Sequence, residues 1–368
     1  MIINLKSQSD LSGFYIVFNG ATNLESRGVY GISHLMEHLI CKNFEFLRDD
    51  FERMGIDWNA YTTQNEIVFF FTGLDKYLLD IREKVVDLIT DFKATKEQFE
   101  NERKIILQEY RNHFSDQSQC HLSNLSRKLF KDYNAIGLKE DLTSLTYMDC
   151  LNFFEKQFKN PSKIINVSKT TPFKSSLDFT NYDTQLRYDF GPHKDVILEP
   201  RRNFGDKVSI CLTSKIITED FNYVSFLNNM LSLGLSSPLY SEIREKRGLV
   251  YNIGARQSRM NKQSVNLITT ETSEKNVQLL YDTVKKVLNN PNKFLSKKRF
   301  NLVRDSYLIK FQKDKINRFQ NVSMWINPTE WSVKNIIKTI QYDKVMDVYE
   351  KYFKFEDFYL SDDKTEFN

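Results

Sequence analysis

Histidine is scarce in this chain, with five in 368 residues. Cysteine is scarcer: Cys41, Cys120, Cys150 and Cys211 stand far apart and form no C-x-x-C pair. That spacing gives no disulfide framework and fits free buried thiols in a reducing compartment. No apolar run reaches the ~18 residues of a membrane-spanning helix, so no membrane partner is expected. Net charge is only +4, well short of a nucleic-acid footprint, and no nucleic-acid partner is expected either. The run Lys297-Lys298-Arg299 reads as a solvated helix face. The first 26 residues contain no arginine, and Met1 to Leu5 leads straight into Lys6. Neither a mitochondrial presequence nor a secretory signal is expected, which points to the cytoplasm.

What is abundant is aromatic. With 29 Phe and 18 Tyr, much of the core should be built from rings. The composition, 40% hydrophobic and 27% charged, is that of a globular protein, and the length suits two domains.

Two of the five histidines fall in His34-Leu35-Met36-Glu37-His38. On a helix, His34 and His38 lie one turn apart on one face, with Glu37 beside them. Two imidazoles and a carboxylate then converge as a catalytic zinc requires. The pattern is H-x-x-E-H, the inverted form of the zinc-peptidase H-E-x-x-H. A third protein ligand is needed, because a catalytic zinc keeps one position for water. The segment Glu102 to Tyr110 offers two carboxylates: Glu102 and Glu109 are seven residues apart, two helical turns, and share a face. One can bind metal while the other holds a ligand histidine through its second nitrogen.

Periodicity places these residues. Phe14 to Phe18 reads as a strand, and a loop through Gly28 leads to the helix of the zinc motif, with Ser33 as its expected cap. Phe44 to Met54 is helical and stops at Gly55, and Ile67 to Thr72 is a strand. Helices follow at Tyr77 to Phe92, Lys96 to Tyr110, Leu122 to Phe130 and Thr146 to Phe158, then a strand at Lys163 to Val167. Residues 168–202, rich in Thr, Ser, Asp and Pro, read as a linker. The second half repeats the pattern: strand Val208 to Thr213, helix Tyr223 to Leu233, strand Val265 to Thr269, helix Glu274 to Leu288. This suggests an old duplication. In the second copy the metal-helix position reads Phe226-Leu227-Asn228-Asn229-Met230, with no His or Glu, so only the first domain should hold metal.

Four segments in order resemble the pitrilysin/insulysin family of zinc metallopeptidases, including small bacterial relatives of mitochondrial processing peptidase. They are H-x-x-E-H at His34 to His38; the E-R-x-x-I-x-x-E helix at Glu102 to Glu109; Asn59-Ala60-Tyr61-Thr62, similar to the family's edge strand; and Ser236 to Tyr251, similar to its I-R-E-K-x-G-L-x-Y segment. The resemblance implies His34, His38 and Glu109 as ligands of Zn2+, Glu37 as general base and Glu102 as support for a ligand histidine. It implies that Asn59, Ala60 and Tyr61 bind the substrate backbone, and that Arg244 and Tyr251 reach the active site from the second domain. From the residues alone, whether Glu102 or Glu109 touches the metal stays open.

The expected fold is α+β: two similar α/β-sandwich domains, each a mainly antiparallel sheet with helices packed on it, together half of a clamshell. Expected bounds are 1–168 for the zinc-binding domain, 169–202 for the linker and 203–368 for the second, non-zinc domain. The expected activity is zinc-dependent endopeptidase cleavage of peptides or unfolded precursor segments. The alternative is an inactive scaffold or peptide-binding subunit of the same fold. Half a chamber implies a homodimer, or a heterodimer with a zinc-less homologue.

Overall fold

The computed structural model describes residues 1–7, 9–182, 190–217, 220–260, 263–316 and 339–364. They form two compact units. Unit 1 holds Met1–Asn112 and 133–182; unit 2 holds His113–Asp132, 190–316 and 339–364.

Unit 1 is built on strands β1 (Ile2–Lys6), β2 (Leu11–Asn19), β3 (Asp57–Thr62), β4 (Glu66–Leu74) and β5 (Lys163–Ser168). Their order is β1-β5-β2-β4-β3; β1 and β5 run parallel and every other pair is antiparallel. The β2–β4 register sets Phe14 opposite Phe71, Ile16 opposite Phe69 and Phe18 opposite Ile67. Alternation then turns all six to one face, where each is fully buried. Helices α1 (Ile32–Cys41), α2 (Arg48–Met54), α3 (Asp75–Thr90), α4 (Lys96–His113), α6 (Lys139–Ser144) and α7 (Tyr147–Gln157) belong to this unit, α4 ending at its boundary. The core is aromatic, as the composition suggests: the ring of Phe44 lies 5.0 Å from Trp58 and 5.3 Å from Phe71, and Phe18 lies 4.9 Å from Phe158. A smaller cluster of Tyr15, Val17, Val68 and Ile165 covers the other face.

Unit 2 has strands β6 (Lys207–Ile216), β7 (Ile253–Met260), β8 (Gln263–Ser273) and β9 (Tyr359–Asp362), antiparallel in the order β7-β8-β6-β9. One face, with Val208, Ile210 and Leu212, packs in a large core with α8 (Phe221–Ser232), α9 (Val277–Leu288) and the helix Tyr342–Tyr352. The other face presents Cys211, Val265 and Leu267 to Leu125, Leu129 and Phe130 of α5 (Gln117–Phe130). Both units are thus mainly antiparallel sheets layered with helices.

Three expectations change. Helix α5 lies in sequence inside the expected first domain, yet it clusters with unit 2, because its apolar stripe is buried on sheet β6–β8. The strands β1, β7 and β9 were not read from the sequence; β1 and β9 span only five and four residues, too few to show a period. The basic run at 297–299 is solvated only in part. Arg299 is buried and donates to the carbonyls of Asn229, Met230 and Leu233, closing the C-terminus of α8.

Candidate metal centre

Helix α1 carries the histidine motif. Its start is not capped by Ser33, whose hydroxyl is buried and has no hydrogen-bond partner among the described residues. The cap residue is Gly31, in the left-handed region at φ 99°. The N–H groups at the helix start go to a carboxylate of the preceding loop: Glu25, fully buried, accepts from Gly31 N–H and Ser33 N–H at 2.8 Å each. A buried negative charge suits the positive end of a helix. Asp141 holds the approaching loop, accepting from the N–H groups of Gly28 (2.7 Å) and Tyr30 (3.0 Å). The fit is tight. A Cβ on Gly137 would lie 2.5 Å from the Gly31 Cα, so glycine is required there.

Helix α4 supplies the carboxylates. It begins with a reciprocal cap: Gln98 N–H donates to Thr95 Oγ1 (3.1 Å) and Thr95 N–H donates to the Gln98 side chain (2.8 Å). Two turns along one face then separate Glu102 and Glu109 into different environments. Glu102 is buried, with Oε2 at 3.1 Å from His38 Nδ1 and Oε1 at 3.1 Å from Lys42 Nζ. Glu109 is half-exposed; its carboxylate lies 3.6 Å from His34 Nε2 and 4.0 Å from His38 Nε2.

His34, His38 and Glu109 therefore each offer a donor atom within 4.8 Å of the others. Donors around a tetrahedral zinc at ~2.1 Å stand about 3.4 Å apart, so this spacing fits the ion. The surroundings of His34 fit as well. Burial, and then the neighbouring His38, lower the His34 pKa to about 4, which keeps a ring lone pair available at neutral pH. Burial alone would lower His38, but the Glu102 hydrogen bond and the charges of Glu109 and Glu37 outweigh it and raise it. Burial would raise Glu102, yet hydrogen bonds from His38 and Lys42 hold it down. Glu102 is thus an ionised acceptor that orients His38 through Nδ1 and leaves Nε2 facing Glu109.

Glu37 is not one of the three donors but lies close enough to feel the charges of His38 and Glu109. It is 8% exposed, and its Oε2 accepts from Thr62 Oγ1 at 2.5 Å. Burial raises its pKa, with hydrogen bonding by Thr62 opposing. Thr62 closes β3, an edge strand of the unit 1 sheet, which among the described residues pairs with β4 alone. On this strand Asn59 and Tyr61 are exposed, and the Asn59 side-chain oxygen accepts from the Ala60 N–H (2.8 Å).

Arg244 and Tyr251 lie in unit 2. Arg244 belongs to a π-helical turn, Tyr240–Glu245, and its guanidinium sits over the rings of Tyr240 (4.7 Å) and Tyr251 (5.0 Å). Tyr251 is 85% exposed. The sequence reading missed Glu25, Asp141 and Lys42. No spacing rule leads to Glu25, because it reaches the helix start across an intervening loop.

Known proteins place this arrangement. Residues 3–137 match the profile Insulinase (Peptidase family M16), and residues 148–307 match Peptidase M16 inactive domain. The chain belongs to peptidase family M16. A relative from Rickettsia felis, named an uncharacterized zinc protease, is 22% identical and aligns over 88% of this chain and 85% of its own length. The fold is also that of a crystallised protease from Helicobacter pylori, with TM-score 0.76 and 15% identity, covering 98% of this chain and 96% of the other. The periplasmic protease PqqL from Escherichia coli matches at TM-score 0.68 and 15% identity; 98% of this chain is covered but only 46% of PqqL. The two M16 profiles leave α6 between them, and the peptidase profile covers α1, β3 and α4. No helix among the described residues is long and apolar enough to cross a membrane.

Proposed function

We propose that this chain is a zinc-dependent metalloendopeptidase that cleaves peptides or unfolded precursor segments, with Glu37 as general base. The observation that carries the reading is the convergence of His34, His38 and Glu109 beside a buried Glu37. Zinc held by these three residues would supply Lewis acidity to an attacking water and to the scissile carbonyl. Glu37 performs the proton transfers. Its raised pKa brings a carboxylate toward neutral pH, where it can take a proton from water and return it to the leaving amine. Thr62 holds Oε2, which fixes the carboxylate and leaves Oε1 for the proton.

The substrate would lie extended along β3 at Asn59, Ala60 and Tyr61, adding a strand to the sheet. Its backbone would replace the Asn59 oxygen now bonded to the Ala60 N–H. Tyr251 would donate to the developing oxyanion, and Arg244 would bind a substrate carbonyl or help close the site. The stacking of Arg244 on Tyr251 supports a shared role. Four free cysteines support a reducing, cytoplasmic setting.

Metal analysis with a quenched-peptide assay tests the reading. The expected result is about one zinc per chain, with cleavage abolished by a chelator. Zinc without cleavage would favour a peptide-binding subunit; a folded chain that binds no zinc would favour an inactive scaffold. This chain matches about half of PqqL. That supports a homodimer in which a second copy completes the chamber, seen in light scattering as a mass near 87 kDa from two 43.6 kDa chains. A monomer without activity would point instead to a zinc-less partner.

A further inference from the structure

We propose that Lys42 is a positioning residue for the metal centre: its ammonium holds the Glu102 carboxylate in the orientation that turns His38 Nε2 toward Glu109. This rests on the zinc reading above and concerns binding of the ion, not the cleavage step. All four residues belong to unit 1.

Lys42 follows His38 by four residues, one turn further along the same face. It is the C-terminal cap of α1, and its N–H still donates to the His38 carbonyl. The next residue fixes the chain at that point. Asn43 is buried, and its side-chain NH2 donates to the carbonyls of Leu88 (2.7 Å) and Asp91 (3.1 Å) at the end of α3. From this anchored backbone the Lys42 side chain reaches α4. Its Nζ lies 3.1 Å from Glu102 Oε1 and 3.1 Å from Glu45 Oε1. Glu45 is exposed and Glu102 is buried, so the ammonium bridges the surface and the interior.

A glutamate carboxylate turns readily about its last bond. Glu102 presents Oε2 to His38 Nδ1 at 3.1 Å, and the bond from Lys42 to Oε1 removes that freedom. The two histidines differ in this respect. His34 Nδ1 is buried and has no hydrogen-bond partner among the described residues. The aim of the imidazole pair therefore depends on the chain His38–Glu102–Lys42, and no hydrogen bond at His34 Nδ1 makes up for its loss. Outer partners of this kind set the orientation of metal-binding imidazoles.

Charge alone predicts the opposite effect. A cation beside a seat for a dication repels it, so removing the Lys42 charge would strengthen zinc binding if Coulomb energy were all that mattered. A positioning role predicts weaker binding. The sign of the change separates the two.

The test is the zinc affinity of the full-length protein, measured by competition against a chromophoric chelator at neutral pH, with circular dichroism of the apo state to check folding. Lys42→Met keeps much of the stem and removes the ammonium. It should weaken binding about tenfold, the low end of the roughly 10–100-fold range for outer partners of a metal ligand. Lys42→Arg should return affinity to within about threefold of wild type, because a guanidinium can bond both carboxylates. In a Glu102→Gln background the Lys42→Met change should cost about twofold or less, because the two residues act as one. Unchanged or tighter zinc binding by Lys42→Met, or an equal loss in both backgrounds, would overturn the proposal. Should Lys42→Met fail to fold, Lys42→Gln takes its place with the same expected loss. A wild type that binds no zinc would overturn the metal centre and this proposal together. The Lys42 effect on zinc in a protein that cleaves no peptide would support the proposal and overturn the peptidase reading alone.

Discussion

Replacing Glu102 or Glu109 by glutamine separates two roles that look alike in sequence. Glu102→Gln keeps the size of a buried side chain and removes its charge. The amide oxygen can still face His38 Nδ1, but its NH2 then points at Lys42 Nζ, where a carboxylate oxygen now sits at 3.1 Å. Loss of such a supporting acceptor weakens metal binding about 10–100-fold, or roughly 1.4–2.7 kcal/mol. Glu109→Gln removes a donor from the triad itself. A protein zinc site worth about 10–16 kcal/mol over four positions implies roughly 2.5–4 kcal/mol per ligand, about 10²–10³-fold in affinity. Glu109→Gln should therefore be the weaker zinc binder by about tenfold, measured by competition against a chromophoric chelator at neutral pH. Thermal unfolding should rank them the other way in the apo state, because Glu102→Gln leaves Lys42 without its buried partner. If Glu102→Gln costs more zinc affinity than Glu109→Gln, the roles are exchanged. If neither changes zinc affinity, the metal does not sit on this face of α4.

Glu37→Gln should retain zinc and fold while losing turnover about 10²–10⁴-fold, since only the proton shuttle is removed; hydrolysis at the wild-type rate would refute the assigned base. Arg244→Ala and Tyr251→Phe should leave zinc content unchanged and lower kcat/KM on peptides, and normal activity per folded molecule would return both residues to a purely packing role. Asp75 predicts an acid limb. Burial would raise its pKa, but hydrogen bonds from Ser12, Thr170, Ser168 and the Lys169 N–H prevail and hold it at about 2. Its stabilisation, about 2 kcal/mol, is fully present above the unfolded pKa of ~3.9 and is lost as pH falls through the folded value. Urea unfolding of Asp75→Asn should show that loss at neutral pH and a flatter stability curve between about pH 4 and 2; a curve parallel to wild type would remove Asp75 as the cause.

The chemistry of the site was legible where it depends on helical period. His34, Glu37 and His38 fall together because one turn separates them, and Glu102 and Glu109 share a face for the same reason. Which glutamate faces the histidine pair was not legible. That depends on α4 burying Glu102 against His38 and Lys42 while Glu109 stays half-exposed. Ser33 looked like a cap by residue type, but the chain enters α1 through a left-handed Gly31 and the amides turn to Glu25. The apolar stripe of α5 declared that it packs, and a stripe carries no address: Leu125, Leu129 and Phe130 could have met either sheet. Likewise Arg299 belongs to a basic run by sequence and to a helix terminus by structure.

The placement of α5 has a consequence for how the molecule is made. A ribosome releases Leu125, Leu129 and Phe130 well before β6 and β8, whose Cys211, Val265 and Leu267 cover them. At ~5–20 residues per second the wait for β8 lasts roughly 7–30 s. During that time the helix joining α4, which carries Glu102 and Glu109, to the loop that braces α1 has no sheet to rest on. The nascent half with every candidate zinc ligand is therefore unfinished until the half without ligands emerges. A chain that stops short of β8 should be a client for chaperones and proteases rather than a smaller peptidase.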